Sequence, residues 1–297
     1  MNSLKPFSDY LKKKQYASST VKTAESVAKV YLTWLEKEKL KAEEVTYNDL
    51  LLYIKECTKK GAGKRTIQHY INILKHYYDH LVEEGKTTLN PTEEINIKGV
   101  KRKTLYHILE PHELHQLYNA YNPEASGESP TGKRNKAMLG LLVYQGLKTE
   151  ELAKLETTDI KLREGKIEVP GGKKSNHRTM QLESHQVLEL YDYMLQARPE
   201  ILRESGEETN KLIITPTGKA STISNLTSSF IRPLKAQNKT LLNTKQIRAS
   251  VITKWLKQYN LRETQYMAGH RYISTTESYK QNDLEGLKEE IDQFHPL

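Results

Sequence analysis

Along 297 residues, only one stretch alternates apolar and polar side chains as a half-buried strand does. Ile160 and Leu162 are followed by Ile167 and Val169, with polar residues between them. Gly171-Gly172-Lys173-Lys174-Ser175-Asn176 is turn chemistry, and residues 179–182 read as a returning strand with Met180 and Leu182 on one face. Most of the remaining periodicity is helical. The chain is therefore expected to be mainly α, with a small antiparallel β-sheet in its C-terminal domain.

The first hundred residues read as helices. Val27, Val30, Tyr31, Trp34 and Leu35 share one helical face, and Ser18-Ser19-Thr20 offers an N-cap before them. Thr46 and Asp49 have capping-box spacing ahead of Leu50, Leu51 and Ile54. After the break at Gly61-Ala62-Gly63, Ile67, Ile71, Leu74, Tyr78 and Leu81 make another apolar face, which Gly85 ends. Periodicity then fades to about residue 110, across a basic run of Lys98, Lys101, Arg102 and Lys103. Pro111 is placed to open a new helix, residues 122–133 read as a loop, and residues 136–144 form a strongly apolar helix ended by Gly146. Beyond Ser184 the chain reads as helices again, broken near Ser205-Gly206 and Pro216-Thr217-Gly218.

Charge narrows the partners. Lys and Arg number 46 against 37 Asp and Glu, a net charge of +9 that suits a polyanion. A single cysteine, Cys57, rules out an internal disulfide framework and fits a reducing compartment. No secretory h-region opens the chain, and no apolar run approaches the roughly 20 residues that span a bilayer. A cytoplasmic protein without membrane partners is expected. Eighteen tyrosines against three phenylalanines mean that a lone tyrosine carries little information.

The most specific string is Met267-Ala268-Gly269-His270-Arg271-Tyr272-Ile273-Ser274-Thr275-Thr276-Glu277-Ser278-Tyr279. Upstream of it stand Gln145-Gly146-Leu147-Lys148-Thr149-Glu150-Glu151-Leu152, then Gly172-Lys173 with Arg178, then Lys245-Gln246-Ile247-Arg248. Any one of these has an ordinary reading as turn lysines, a core histidine or a packed tyrosine. In this order and at these separations they resemble the tyrosine recombinases, the phage-integrase family, over nearly the whole chain. The resemblance implies a helical core-binding domain (1–98), a linker (99–110) and a catalytic domain (111–297). It also implies a simple Xer-like plan without a separate arm-binding domain, and a mobile-element integrase of that plan fits equally. Residues 283–294, with Leu284, Leu287 and Ile291 at helical spacing, correspond either to the family's exchanged C-terminal segment or to a helix packed on its own domain.

The implied chemistry has a physical logic. A tyrosine hydroxyl is ionised in only about one molecule in a thousand at neutral pH, so it needs cationic surroundings to act as a nucleophile. Tyr279 would attack a DNA phosphate, leaving a 3′-phosphotyrosyl link and a free 5′-hydroxyl that attacks a partner duplex through a Holliday junction. Arg248 would supply a planar fork to the phosphate, with Lys245 one helical turn before it. His270 would donate to the phosphate or help the tyrosine lose its proton. Lys173, or its neighbour Lys174, would protonate the departing 5′-oxygen. The covalent link conserves energy, so neither a nucleotide cofactor nor a metal is implied. Lys64, Arg65, Lys101, Arg102, Lys174 and Arg271 are further candidates for phosphate contacts. The implied partner is duplex DNA, bound by a homotetramer formed from monomers.

Two positions depart from the family pattern. Lys245 stands where histidine is commonest, which the family tolerates. Lys148 stands where the first box normally carries arginine, keeping the charge but losing the fork. Losing one such donor lowers rates by about 10²–10³. A divergent active enzyme, a cleavage-poor relative and a deliberate substitution all account for it. The rival expectation is a sequence-specific DNA-binding protein on this fold with little or no cleavage. An unrelated helical DNA-binding regulator would leave the ordered set unexplained.

Overall fold

The computed structural model describes residues 4–100, 107–123, 129–172, 175–206, 208–215 and 223–280. The chain divides into two compact units, Met1–Lys103 and Thr104–Leu297, each with its own apolar core. Helices dominate, and a single three-stranded antiparallel sheet lies in the second unit.

The first unit contains α1 (Lys5–Lys13), α2 (Ser18–Glu38), α3 (Tyr47–Lys59) and α4 (Lys64–Glu83). Every residue of the expected α4 stripe, from Ile67 to Leu81, is buried. Thr46 and Asp49 form the capping box, with the Thr46 N–H donating to Asp49 Oδ2 at 2.8 Å. The other expected N-cap is not used: α2 starts at Ser18 behind Ala17, and no side chain caps it. Two expected core residues also lie outside. Val30 is 59 % exposed and Leu51 42 %, whereas their neighbours Tyr31 and Leu50 are fully buried. The large side chains interlock as rings: Tyr31 meets Tyr53 edge-on at 4.9 Å and Trp34 lies 5.1 Å from Tyr53. The Tyr31 and Tyr78 hydroxyls bond each other at 2.7 Å, and burial pushes both phenol pKa values up.

The second unit is built around two helices that are buried along most of their length, α6 (Pro130–Val143) and α11 (Thr244–Gln258). Such helices belong in the middle of a domain. Around them lie α5 (Pro111–Ala120), the short α7 (Thr149–Leu152), α8 (Ser184–Asp192), α9 (Arg198–Ser205), α10 (Ile223–Gln237) and α12 (Leu261–Ala268). Residues 273–280 are helical as well. A π-helical turn, Tyr193–Ala197, joins α8 to α9. Pro111 opens α5 as expected. The apolar helix starts earlier than its pattern suggested, because Pro130-Thr131-Gly132 forms the first turn of α6 instead of a loop; proline at N1 lacks only an N–H that would have no partner there.

The sheet runs β1 (Ile160–Lys161), β2 (Lys166–Val169), β3 (Arg178–Gln181), in that order. Leu162 sits in a 3₁₀ turn, Leu162–Glu164, rather than in a strand, and Gly165 at φ +61° closes that turn. Register pairs Ile167 with Met180 and Val169 with Arg178, so the apolar face continues until it meets a buried charge. Among the described residues, no helix is long and apolar enough to cross a membrane. Pro216-Thr217-Gly218 and the expected C-terminal segment 283–294 lie outside the described residues.

The hydroxyl pair makes a stability prediction. Tyr31→Phe leaves the buried Tyr78 oxygen without its partner and should destabilise the chain by about 1–3 kcal/mol in urea unfolding. The double variant Tyr31→Phe, Tyr78→Phe should destabilise by less than the sum of the singles; strict additivity would mean that the hydroxyls are not coupled.

Candidate active site

A turn made for a histidine lies at the end of α12. Asn260 caps its start, accepting from the Arg262 and Glu263 N–H groups. At its other end the Gly269 N–H donates to the Tyr266 carbonyl at 2.9 Å and the His270 N–H to the Gln265 carbonyl at 3.0 Å, a Schellman arrangement. Gly269 has φ +62°, and a Cβ there would lie 2.4 Å from Arg178 Nη1. The glycine is therefore required both by its backbone and by its neighbour.

This turn delivers His270 to a buried site. Arg248, from α11, anchors one guanidinium nitrogen on the Gly146 carbonyl (2.5 Å) and the other on the Ala268 carbonyl (2.6 Å). Nη2 also lies 3.2 Å from His270 Nε2. A guanidinium only donates, so Nε2 is the acceptor and the ring proton sits on Nδ1, 2.9 Å from Thr276 Oγ1. Burial, and then the charges of Arg248, Lys148 and Arg178, lower the His270 pKa to about 3, so the imidazole is neutral at physiological pH. Thr276 stands one turn before Tyr279 on residues 273–280, and the Tyr279 ring stacks on His270 with centroids 5.7 Å apart and planes 16° apart. The Tyr279 hydroxyl lies against Arg248 and supports its charge.

Two sequence-predicted residues take different places around this core. Lys148 precedes α7 and is half-buried; burial, then Arg248, lowers its pKa. Its ammonium has no hydrogen-bond or ion-pair partner among the described residues. Lys245 shares α11 with Arg248 but is exposed on the first turn, while Arg248 is buried. The structure thus brings Lys148, Arg248, His270 and Tyr279 together and leaves Lys245 at the surface.

Lys173 and Lys174 lie outside the described residues, but their neighbours Gly172 and Ser175 do not. Gly172 and Ser175 exchange backbone hydrogen bonds at 2.8 and 3.3 Å. Ser175 pairs with His270, and the Asn176 N–H donates to the Gly269 carbonyl at 3.1 Å. Ser175 and Asn176, which follow the two lysines, are therefore held beside His270. Among the remaining candidates, Lys64 and Arg65 are exposed at the start of α4 and Arg271 is exposed beside His270; Lys101 and Arg102 lie outside the described residues.

Sequence reasoning assigned no role to three residues of the site: Glu151, Arg178 and Thr276. Arg178 is fully buried, and its two terminal nitrogens each donate to one Glu151 carboxylate oxygen at 3.0 Å. Glu151 also accepts from the Lys148 N–H at 2.9 Å and lies 3.7 Å from Arg248 Nη1. Burial alone would raise the Glu151 pKa, but Arg178 and Arg248 hold it below the ordinary carboxylate value. The available signal was the need of buried cations for a buried anion; the string Thr149-Glu150-Glu151 offered two.

Three cations against one carboxylate leave a surplus of positive charge in a largely dry site, with a tyrosine hydroxyl at its edge. Such a site can hold an anion with two negatively charged oxygens and set a nucleophile beside it.

Two stability measurements test this geometry. Glu151→Gln should destabilise the chain by about 3–5 kcal/mol, because two buried guanidinium groups lose their anion. His270 gives a pH dependence. An unfolded histidine takes up a proton near 6.5, whereas folded His270 does so near 3, so the unfolded chain binds more protons in between. Its contribution is complete above pH 6.5 and is lost as pH falls toward 3. Glu151, with its pKa also depressed, adds a loss of the same sign at lower pH. Urea midpoints should fall from pH 7 to 5, and His270→Asn should flatten that fall; an unchanged slope would contradict the buried neutral imidazole.

Comparison with known proteins gives a family for both units. Residues 107–285 match the phage integrase family, and residues 4–85 match the phage integrase N-terminal SAM-like domain. The chain is 25 % identical to tyrosine recombinase XerC of Bacillus subtilis (strain 168), covering 99 % of this chain and 96 % of that protein. It is 26 % identical to tyrosine recombinase XerD of Listeria innocua, covering 95 % and 94 %. Its fold is similar to that of a lambda integrase dimer bound to a COC′ core site (TM-score 0.67, 16 % identity, 94 % of each chain). It is also similar to a Tn1549 transposon integrase in complex with transposon right end DNA (TM-score 0.65, 15 % identity, 97 % of this chain and 99 % of that one). With both of its units matched, and its buried cations gathered around one tyrosine, the chain belongs to the phage integrase family of tyrosine recombinases.

Proposed function

We propose that this chain is a site-specific recombinase that cuts and rejoins duplex DNA through a covalent link to Tyr279. The observation that carries the reading is the stacking of Tyr279 on a neutral His270, with its hydroxyl against Arg248. Arg248 grips the scissile phosphate. His270 Nε2, an acceptor in the free protein, suits removal of the tyrosine proton. The Tyr279 oxygen bonds phosphorus, the phosphorus–5′-oxygen bond breaks, and Lys173 or Lys174 protonates the leaving oxygen. Lys245, at the mouth of α11, meets the DNA backbone beside that phosphate. The freed 5′-hydroxyl then attacks the phosphotyrosyl link of a partner duplex.

Residues 1–98 grip the DNA, with Lys64 and Arg65 toward it, residues 99–110 link, and residues 111–297 catalyse. The DNA-bound state is a homotetramer assembled from monomers, acting in the cytoplasm. A lambda integrase tetramer bound to a Holliday junction has a similar fold (TM-score 0.62, 15 % identity), which supports this assembly. One observation favours a second reading, a DNA-binding protein with little cleavage. Lys148 offers one point charge where a fork would hold two phosphate oxygens.

The test is a nicked suicide duplex carrying the sequence this chain enriches from a random duplex library. A denaturant-resistant protein–DNA band should form and vanish with Tyr279→Phe. Lys148→Arg should form it about 10²-fold faster or more. Site binding without a band in either the unmodified chain or Lys148→Arg would contradict the recombinase reading.

A further inference from the structure

Arg178 has no place among the groups that meet the phosphate, yet the charge balance of the site turns on it. Glu151 is the one carboxylate paired with buried guanidinium groups here among the described residues, and two such groups face it. Arg178 holds both of its oxygens at 3.0 Å. Arg248 stands 3.7 Å from Oε2, beyond hydrogen-bond distance. The short contacts of Arg248 are to the carbonyls of Gly146 and Ala268, which orient it without neutralising it. A carboxylate with two guanidinium neighbours binds one more tightly and leaves the other to any arriving anion. The fold decides which: β3 carries Arg178 into the core, and Gly269 has no side chain to obstruct it.

We propose that Arg178 is a positioning residue for strand cleavage, occupying Glu151 so that the charge of Arg248 stays uncompensated and available to the scissile phosphate. Without Arg178, Glu151 would draw Arg248 onto itself and compete with the phosphate. The inference rests on the recombinase reading for what Arg248 grips.

The experiment measures the rate of Tyr279-dependent adduct formation at saturating DNA on the library-selected nicked duplex, and Kd for the same duplex, in the unmodified chain and in Lys148→Arg. Arg178→Met should slow the adduct at saturation by about tenfold or more with little change in Kd. Adding Glu151→Gln to Arg178→Met removes the competing charge and should restore the rate to within about threefold of Glu151→Gln alone. A merely structural role gives the opposite, a double variant slower than either single, and would overturn the proposal. Arg178→Lys keeps the charge with a poorer grip and should fall between Arg178→Met and the unmodified chain. If circular dichroism shows that Arg178→Met does not fold, Arg178→Lys with and without Glu151→Gln makes the same comparison, and failure of Glu151→Gln to raise the rate overturns the proposal. An adduct that forms equally fast with Arg178→Met overturns this inference alone. No adduct from the unmodified chain or from Lys148→Arg overturns the recombinase reading, and this inference with it.

Discussion

One buried carboxylate holds the catalytic unit in register. Glu151 binds the guanidinium of Arg178 from β3, faces that of Arg248 from α11, and accepts the backbone N–H that starts α7. Three segments far apart in sequence therefore converge on two oxygens. Buried charge of this kind adds little net stability compared with an apolar core, but breaking it is expensive, which makes it a strong constraint on geometry. The consequence is a site with an excess of cations, a neutral imidazole and a tyrosine laid across that imidazole.

The same arrangement explains the protonation states. His270 sits in a dry pocket beside Arg248, with Lys148 and Arg178 adding to the field, so it remains neutral well below physiological pH. Arg248 donates to its Nε2 and Thr276 holds its Nδ1, which sets both tautomer and ring orientation. An incoming phosphate would reverse the field, making it easier for the imidazole to hold a proton once it has taken one. Lys148 belongs to this field too. Half-buried and close to two guanidinium groups, it is held less firmly in its charged form than a surface lysine. An arginine at this position would stay charged regardless, so lysine differs from it in the persistence of the charge as well as in its shape.

Much of this was legible in the chain itself. The α4 stripe, the capping box before α3 and strands β2 and β3 follow from periodicity and turn chemistry, and the four motifs from the family resemblance. The errors have local causes. Val30 and Leu51 are apolar but sit beside Tyr31 and Leu50, which take the buried positions of their helices. Pro130-Thr131-Gly132 reads as a turn, yet proline and small residues also suit the first turn of a helix. Leu162 continues an alternating pattern that the backbone abandons for a 3₁₀ turn. Arg178 and Glu151 were visible as residues but not as partners, because a pair 27 positions apart has no periodic signature. Lys245 and Arg248 sit one turn apart on α11, yet Lys245 is exposed and Arg248 is buried.

On the proposed chemistry, Tyr279 becomes joined to DNA. The most direct measurement is peptide mapping of the denatured adduct by mass spectrometry after nuclease digestion. The account predicts a nucleotide attached through its 3′-phosphate to the Tyr279 side chain, with the 5′-end of the cleaved strand a free hydroxyl. Attachment to any other residue, or cleavage that leaves no covalent link, would contradict it.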